Sequence, residues 1–233
     1  MNLKHILFFL LLLSIGSQAT SQYVLQSSEL RGKFGVSLGS SLPQAELAEQ
    51  TGEYAGGANT GLLFGFEYVV PFRNNKTFYW LSGLRVLINA TDLPEGFPGI
   101  GLTGTESNWF HIIPTVGIRV TPLSFNNFEL FCSIQAGGAY IITPEIESNT
   151  LLRGSIFTTA NQNSSSGITY ALSPSVGVKF LRNFELNAEY IYGGLVEYET
   201  TTLGLGDVRR TVEHTYTVPM EFLNIFFNYH FYF

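Results

Sequence analysis

Eight charged residues fall on the polar positions of segments in which apolar and polar side chains alternate. Four are basic and four are acidic, in the order Lys33, Glu67, Arg85, Arg119, Glu129, Lys179, Glu185 and Glu189. An ionised side chain enclosed away from water requires an opposite charge and hydrogen bonds. The equal numbers therefore predict an ion-paired network that fills an interior, with Glu67 or Glu189 bound to Arg85 or Arg119 at its centre. A charge-lined pathway for ions or small solutes is the alternative for the same residues.

The histidines are the next residues that could do chemistry. His111 lies close in sequence to Ser107 and Glu106, and His214 follows Glu213, so each has residue types found in hydrolytic sites. Neither arrangement matches a known catalytic motif, and the histidine spacings do not suit a metal site. We therefore expect no catalytic residue, no metal and no cofactor. A histidine at the end of a strand is expected to be solvated.

Three aromatic residues, Tyr54, Phe97 and Trp109, fall in or beside predicted connections. Such rings could form a carbohydrate-binding platform. Isolated aromatic residues in loops are common, however, because much of any protein surface is apolar. Contact with a partner protein is expected from the long connections, through residues such as Leu47 and Tyr54.

The elements that position these residues are clearest at residues 223–233. Every second residue there is apolar or aromatic and includes Tyr229, Phe231 and Phe233, whereas the opposite register includes Asn228 and His230. Successive side chains of a β-strand point to opposite faces. Eleven residues are long enough to cross a bilayer at a tilt. The pattern predicts a membrane-spanning strand with one wholly apolar face.

Eight segments alternate in this way, and their connections alternate between long and short. The segments are 33–39, 61–70, 78–89, 110–120, 128–140, 168–180, 184–193 and 222–233. Short turns on one side of a membrane and long loops on the other are typical of outer-membrane barrels. The predicted fold is all-β: an eight-stranded antiparallel transmembrane β-barrel, an up-and-down meander with short periplasmic turns and long extracellular loops.

Four local features are also predicted. One or two helical turns are expected at 44–49, because these residues favour helix. A bulge is expected at Pro114, since proline cannot donate to the hydrogen-bond ladder. Alternation on both sides of 203–210 predicts a hairpin that projects beyond the membrane. Ten strands remain an alternative if residues 151–159 pair within the third long loop.

The first residues have the pattern of an export signal. Lys4 and His5 precede the apolar run 6–15, and small residues follow it up to Ala19. This order is typical of a cleaved signal peptide. We predict a signal peptide at residues 1–21 and one barrel domain at residues 22–233.

Composition excludes several classes of function. Charged residues make up 13% of the chain and hydrophobic residues 45%, yet no stretch reaches eighteen consecutive apolar residues. The apolar content is therefore dispersed in strands and does not form a membrane helix. The net charge of −6 argues against a nucleic-acid partner. A soluble lipocalin-like barrel would place apolar residues inside and charges outside, the reverse of this pattern.

The sequence resembles the Bacteroidetes-type outer-membrane β-barrel domain family, which includes PorT-like proteins. The similarity lies in the glycine-alternating segment 34–39, in Ile112-Ile113-Pro114-Thr115-Val116-Gly117-Ile118-Arg119-Val120, and in Tyr229-His230-Phe231-Tyr232-Phe233. It implies an integral protein of the outer membrane that contacts membrane lipid, and we expect that protein to be non-enzymatic. It also implies recognition of Tyr229, Phe231 and Phe233 by the barrel-assembly machinery.

The same resemblance implies the partners that we expect. PorT-like proteins are associated with type IX secretion, so a protein of an envelope or secretion complex is an expected partner. The leading hypothesis is a barrel with a plugged, salt-bridged lumen that acts structurally or through its extracellular loops. A narrow solute channel is the first alternative, and a lipid-modifying barrel enzyme is the second.

Overall fold

The computed structural model describes residues 32–48, 58–72, 77–91, 103–125, 128–152, 156–162, 164–181, 183–205 and 209–232. The predicted signal peptide, Tyr54, Phe97 and Phe233 lie outside these residues. The elements in chain order are β1 Lys33–Pro43, α1 Ala45–Ala48, β2 Ala58–Pro71, β3 Phe78–Thr91, β4 Thr103–Glu106, β5 Trp109–Phe125, β6 Phe128–Ile142, β7 Ile146–Leu152, β8 Ile156–Gln162, β9 Ser166–Phe180, β10 Phe184–Leu205 and β11 Arg209–Tyr232. Within the described residues, no helix has the length and apolar character needed to span a bilayer.

Eight of the strands form a closed antiparallel barrel. The ring order is β1, β2, β3, β5, β6, β9, β10 and β11, and β11 returns to pair with β1. This last seam is continuous, from Lys33 opposite Tyr232 to Pro43 opposite Phe222. Each strand pairs with its neighbour along the chain once the extracellular strands are set aside, so the predicted meander is confirmed.

The ten-stranded alternative is wrong, although the third long connection does contain strands. β6 pairs directly with β9, so no strand is inserted into the ring between them. β7 and β8 instead form a hairpin beyond the rim, where β8 pairs with β10 at residues 200–204. β4 adds to β7. The upper parts of β11 and β10, together with β8, β7 and β4, form a five-stranded extracellular extension.

The two faces of the barrel wall differ sharply in polarity. Leu62, Val116 and Phe227 on the outward register are more than half exposed, whereas Glu67, Arg85 and Asn224 on the inward register are buried. A polar interior and an apolar exterior suit a wall that faces hydrocarbon. Closure also leaves no unpaired backbone edge within the membrane, which an open sheet would have.

Aromatic residues mark both rims of the outer surface. Phe72, Trp80 and Phe128 are exposed at the periplasmic end, and Tyr140 and Tyr170 are exposed at the extracellular end. Aromatic side chains of this kind sit at the boundary between headgroups and hydrocarbon. Their positions define the height of the wall that contacts lipid.

The bulge predicted at Pro114 is wrong. The register of β5 with β3 is continuous through Pro114, which lies opposite Leu84. Pairing with β6 is interrupted at Ile113 and Pro114 and then resumes in the same register. Proline lacks a donor but remains extended, so the ladder loses a bond without gaining a residue. The irregularity of this seam lies instead between Val120 and Leu123.

The periplasmic turn between β9 and β10 contains a strained residue. Leu181 has a φ of 50°, in the left-handed region where a side chain clashes with its own backbone. Asparagine tolerates this conformation through local hydrogen bonding. We expect Leu181→Asn to raise the free energy of unfolding by about 1 kcal/mol, measured by urea titration of the refolded barrel. Leu181→Ala removes the same exposed side chain but keeps the strain, so an equal gain in that control would contradict the explanation.

Candidate functional site in the barrel lumen

A buried ion network occupies the middle of the lumen. Glu67 of β2 lies between two guanidinium groups: Arg85 Nη2 is 3.2 Å from Glu67 Oε2, and Arg119 Nη2 is 2.6 Å from Glu67 Oε1. The three side chains come from the adjacent strands β2, β3 and β5. Each of them is almost wholly buried. One carboxylate therefore holds two cations that would otherwise repel each other in a poorly solvated space.

β10 supplies the other carboxylates of the network. Arg119 Nη1 lies 3.0 Å from Glu185 Oε2, and Arg85 Nε lies 3.5 Å from Glu189 Oε2. His230 of β11 places its Nε2 3.0 Å from Glu185 Oε1. The pairs thus span the barrel from β3 and β5 to β10, which ties opposite walls together.

Aromatic rings cover the two guanidinium groups. The Arg119 Cζ lies 4.0 Å from the centroid of the Phe131 ring, and the Arg85 Cζ lies 4.9 Å from that of Phe226. Guanidinium groups stack favourably on aromatic faces. Each arginine is therefore held by carboxylates at its edge and by a ring on its face.

A second group of charges lies at the periplasmic mouth. Lys179 Nζ is 2.8 Å from Glu129 Oε1, and this pair is more exposed to solvent than the central network. Lys33 lies 5.5 Å from the centroid of the Tyr79 ring and 5.7 Å from that of Tyr232. Among the ion pairs of the described residues, none includes Lys33. Seven of the eight charged residues thus form ion pairs with each other, and the eighth, Lys33, lies against aromatic rings.

Short polar side chains close the gaps between the charges. Ser37 of β1 hydrogen-bonds to Asn228 of β11. Thr115 donates to Gln135 at 2.8 Å, and Asn224 donates to Glu189 at 3.4 Å. These contacts connect neighbouring strands around the ion network.

Glu67, Glu185 and His230 have the composition of a metal site. Their ligand atoms lie within 4.8 Å of one another. Arg119, however, donates to both carboxylates. A metal cation would have to replace the guanidinium or lie next to its positive charge, which is unfavourable. The arrangement favours an ion network over a metal centre.

The extracellular half of the lumen is largely apolar, which the sequence pattern did not predict, although Ser41 and Asn89 are buried there and hydrogen-bond to each other. Leu47 of α1 belongs to the same buried cluster as residues from the barrel strands. The strand residues of this cluster are Ala58, Leu63, Leu87, Trp109, Ile113, Ala139, Ile141, Ala171, Ile191, Val196, Val218, Met220, Phe222 and Phe226. The inward register therefore carries charges near the periplasm and hydrocarbon near the cell exterior. Leu47 is not free for partner contact.

Two further expectations fail in this apolar half. Trp109 is 1% exposed and stacks on His111 with ring centroids 6.0 Å apart, so it cannot serve as a carbohydrate platform. His111 is also 1% exposed and not solvated. The Oγ of Ser107 accepts the backbone N–H of Glu145. His111 and Ser107 therefore do not form a hydrolytic pair, and the side chain of His214 lies outside the described residues.

The aromatic residues near the C-terminus lie on the lipid face. Tyr229 and Phe231 are exposed on the outward register of β11. The Tyr229 ring lies 4.9 Å from that of Phe231 and 5.0 Å from that of Phe184 on β10. A row of rings is thus available at the periplasmic rim.

The comparisons with known proteins give structural likenesses only. No protein-family model matches this sequence, and no curated protein matches it. OprG of Pseudomonas aeruginosa, an outer-membrane protein, is 14% identical with a TM-score of 0.47, covering 87% of this chain and 97% of its own. A major outer-membrane protein of Thermus thermophilus is 11% identical with a TM-score of 0.45, covering 86% and 99%. Ail, the attachment invasion locus protein of Yersinia pestis, is 16% identical with a TM-score of 0.42, also covering 86% and 99%.

The pairing and polarity of this chain establish its class without those likenesses. A closed ring of eight antiparallel strands, apolar outside and polar inside, can satisfy its backbone in a bilayer. The chain forms a small eight-stranded outer-membrane barrel.

Proposed function

We propose that the protein is a non-enzymatic outer-membrane barrel whose lumen is closed and whose extracellular extension binds a partner protein. The extension is the observation that carries this proposal. Within the described residues, residues 209–219 of β11 pair with β10 alone, and β4 pairs with β7 alone. Strand edges offer unpaired N–H and C=O groups to a strand of another chain. A sheet raised above the rim is well placed for such pairing.

The closed lumen is supported by the ion network. Arg119 bridges Glu67 and Glu185 across the interior, and Arg85 reaches Glu189. An eight-stranded barrel has just enough interior for its own side chains. The buried hydrocarbon cluster above the network adds a second obstruction. A passage for ions or solutes would have to break both layers.

The proposed partner rests on the resemblance noted in the sequence. Similarity to PorT-like proteins of the Bacteroidetes-type family makes a type IX secretion or other envelope complex the proposed assembly. On this proposal residues 1–21 direct export, and Tyr229, Phe231 and Phe233 engage the barrel-assembly machinery during insertion. The mature protein then acts without a cofactor and without catalysis.

Cross-linking in native outer membranes tests the partner role. We expect affinity purification in mild detergent to recover one stoichiometric partner with the wild-type protein. The matched control replaces residues 146–162 by a short glycine-serine link, which the direct pairing of β6 with β9 permits. Slower migration of the boiled sample shows that this variant still forms a barrel. Equal recovery of the partner by the variant, or a monomer from the wild type, would contradict the proposal.

Planar-bilayer recording tests the closed lumen. We expect no steady conductance from the wild-type barrel, because its lumen contains both ion pairs and a hydrocarbon layer. Heat-modifiable migration of the same sample verifies that folded barrels were present. Steady conductance would overturn the closed lumen and favour the narrow solute channel.

A further inference from the structure

His111 is a buried polar group that the closed lumen does not explain. Its side chain is 1% exposed, and neither Nδ1 nor Nε2 has a hydrogen-bond partner. The ion network lies nearer the periplasmic end of the lumen: Arg85 is two residues from Leu87, which pairs with His111. Leaving a buried polar group without a partner is costly. A phenylalanine would fill the same volume without that cost.

The neighbours of His111 for which the structure records pairing or ring contacts are mainly apolar. In the register of the wall, Leu87 of β3 and Ile141 of β6 flank it. Its ring stacks on Trp109, and its edge meets the Phe222 ring with centroids 4.8 Å apart. Apart from the indole N–H of Trp109, the side chains of these neighbours carry no polar group, so the imidazole faces mainly hydrocarbon.

We propose that this apolar half of the lumen is a blind-ended binding chamber for a small, mainly apolar molecule with one hydroxyl group. The apolar body would contact Trp109 and Phe222, and the hydroxyl would donate to the bare nitrogen of the neutral His111 ring. The ligand would enter from the cell exterior and go no further. This inference rests on the proposed closure of the periplasmic half by the ion network.

α1 is the feature that would admit the ligand. Its Leu47 is buried in the same cluster, whereas Glu46 beside it is exposed. The chain enters α1 through Ala45, whose φ is 50°, and a hydrogen bond of 2.9 Å from the Gln44 N–H to the Glu221 carbonyl oxygen holds this entry to β11. A helix of four residues has little stability of its own. α1 can therefore move easily, and a ligand would displace the Leu47 side chain from the buried cluster and take its place.

Tryptophan fluorescence provides a direct test. The chain has two tryptophans, so Trp80→Phe leaves Trp109 as the reporter in the chamber. In that background we expect phenol to quench Trp109 emission saturably. His111→Phe is expected to weaken phenol binding about fivefold, as the loss of one net hydrogen bond does. Toluene has no hydroxyl, so its binding should not change between the two proteins.

A second pair of variants keeps the test decisive if the wild type binds weakly. Leu47→Ala vacates space in the cluster and should tighten binding of both probes, whereas Glu46→Ala should leave binding unchanged. Absence of saturable quenching in both the wild type and Leu47→Ala would overturn the chamber. Equal effects of His111→Phe on phenol and toluene would overturn the role of His111. Steady conductance would refute the closed lumen and, with it, the blind end, whereas failed binding would leave the closed lumen intact.

Discussion

Arg119→Met is expected to lower the free energy of unfolding by about 3–5 kcal/mol. Arg119 donates to Glu67 and to both oxygens of Glu185, and its guanidinium lies on the Phe131 ring. Methionine conserves much of the volume but removes the positive charge. Two buried carboxylates then lose their closest cation, and an uncompensated buried charge costs far more than an ion pair gains.

Urea titration of the refolded barrel measures this loss, and the mouth of the lumen provides the control. Lys179→Met, like Arg119→Met, removes one positive charge, but from the more exposed pair with Glu129. We expect that change to cost less than about 1 kcal/mol. The double variant Arg119→Met with Glu185→Gln should recover part of the stability, because one stranded carboxylate is removed with its partner. Equal losses at Arg119 and Lys179 would show that the central network is not a buried ionic core.

Gly117→Ala is expected to cost about 3 kcal/mol. Gly117 lies on the inward face of β5, and a Cβ there would overlap the carbonyl oxygen of Ile134 on the neighbouring strand. The obstacle is backbone, so it cannot move aside as a flexible side chain can. Gly137 on β6 meets the same obstacle at the carbonyl oxygen of Pro114. This seam of the barrel therefore depends on glycine to bring its strands together.

Gly138→Ala and Gly167→Ala are the matched controls for this seam. A Cβ at Gly138 would meet its nearest neighbour, the Thr169 carbonyl oxygen, at 3.7 Å, and one at Gly167 would meet nothing within 4 Å. Both changes should be neutral or stabilise by about 0.5 kcal/mol, since alanine restricts the unfolded chain. The same urea titration compares all three variants. A loss at Gly117 no larger than at Gly138 would contradict the close backbone approach.

The fold was predictable because alternation has a period of two and because the membrane reverses the usual polarity. In β10, Glu185 and Glu189 fall on one register while Tyr190 falls on the other, and the structure places them inside and outside accordingly. The alternation within each strand therefore predicts which of its side chains face the lumen and which face the lipid. Connection lengths then give the meander and the side of the membrane.

The layering of the lumen could not be predicted in the same way. Leu87 and Arg85 share the inward register of β3, yet one lies in the hydrocarbon layer and the other in the ion network. Their neighbours at each height come from strands far away in sequence, and the heights depend on tilt and stagger. Trp109 lies two residues before His111 and therefore shares its face of the strand, so the inward position of Trp109 could have been predicted. It was missed because the strand was expected to begin one residue later.

The extracellular strands were anticipated only in part, through the possible pairing of residues 151–159, for a different reason. β4, β7 and β8 lie in connections rich in threonine, serine and asparagine, where alternation of apolar residues is absent. Strands that are polar on both faces give no period-two signal. Their pairing depends on the template that the long strands β10 and β11 provide beyond the rim.

The seam between β1 and β11 has a consequence for the order of assembly. Its eleven paired positions join Lys33 to Tyr232 and Pro43 to Phe222, residues separated by nearly the whole described chain. Contacts of such high sequence separation form late and slowly, because the loop that they close is long. In a chain that is still folding, the two edge strands of the sheet therefore keep unpaired backbone N–H and C=O groups until β11 is available. Closure of the ring is then a single step at the end of folding. A chain that lacks β11 cannot form a partially closed barrel as an intermediate.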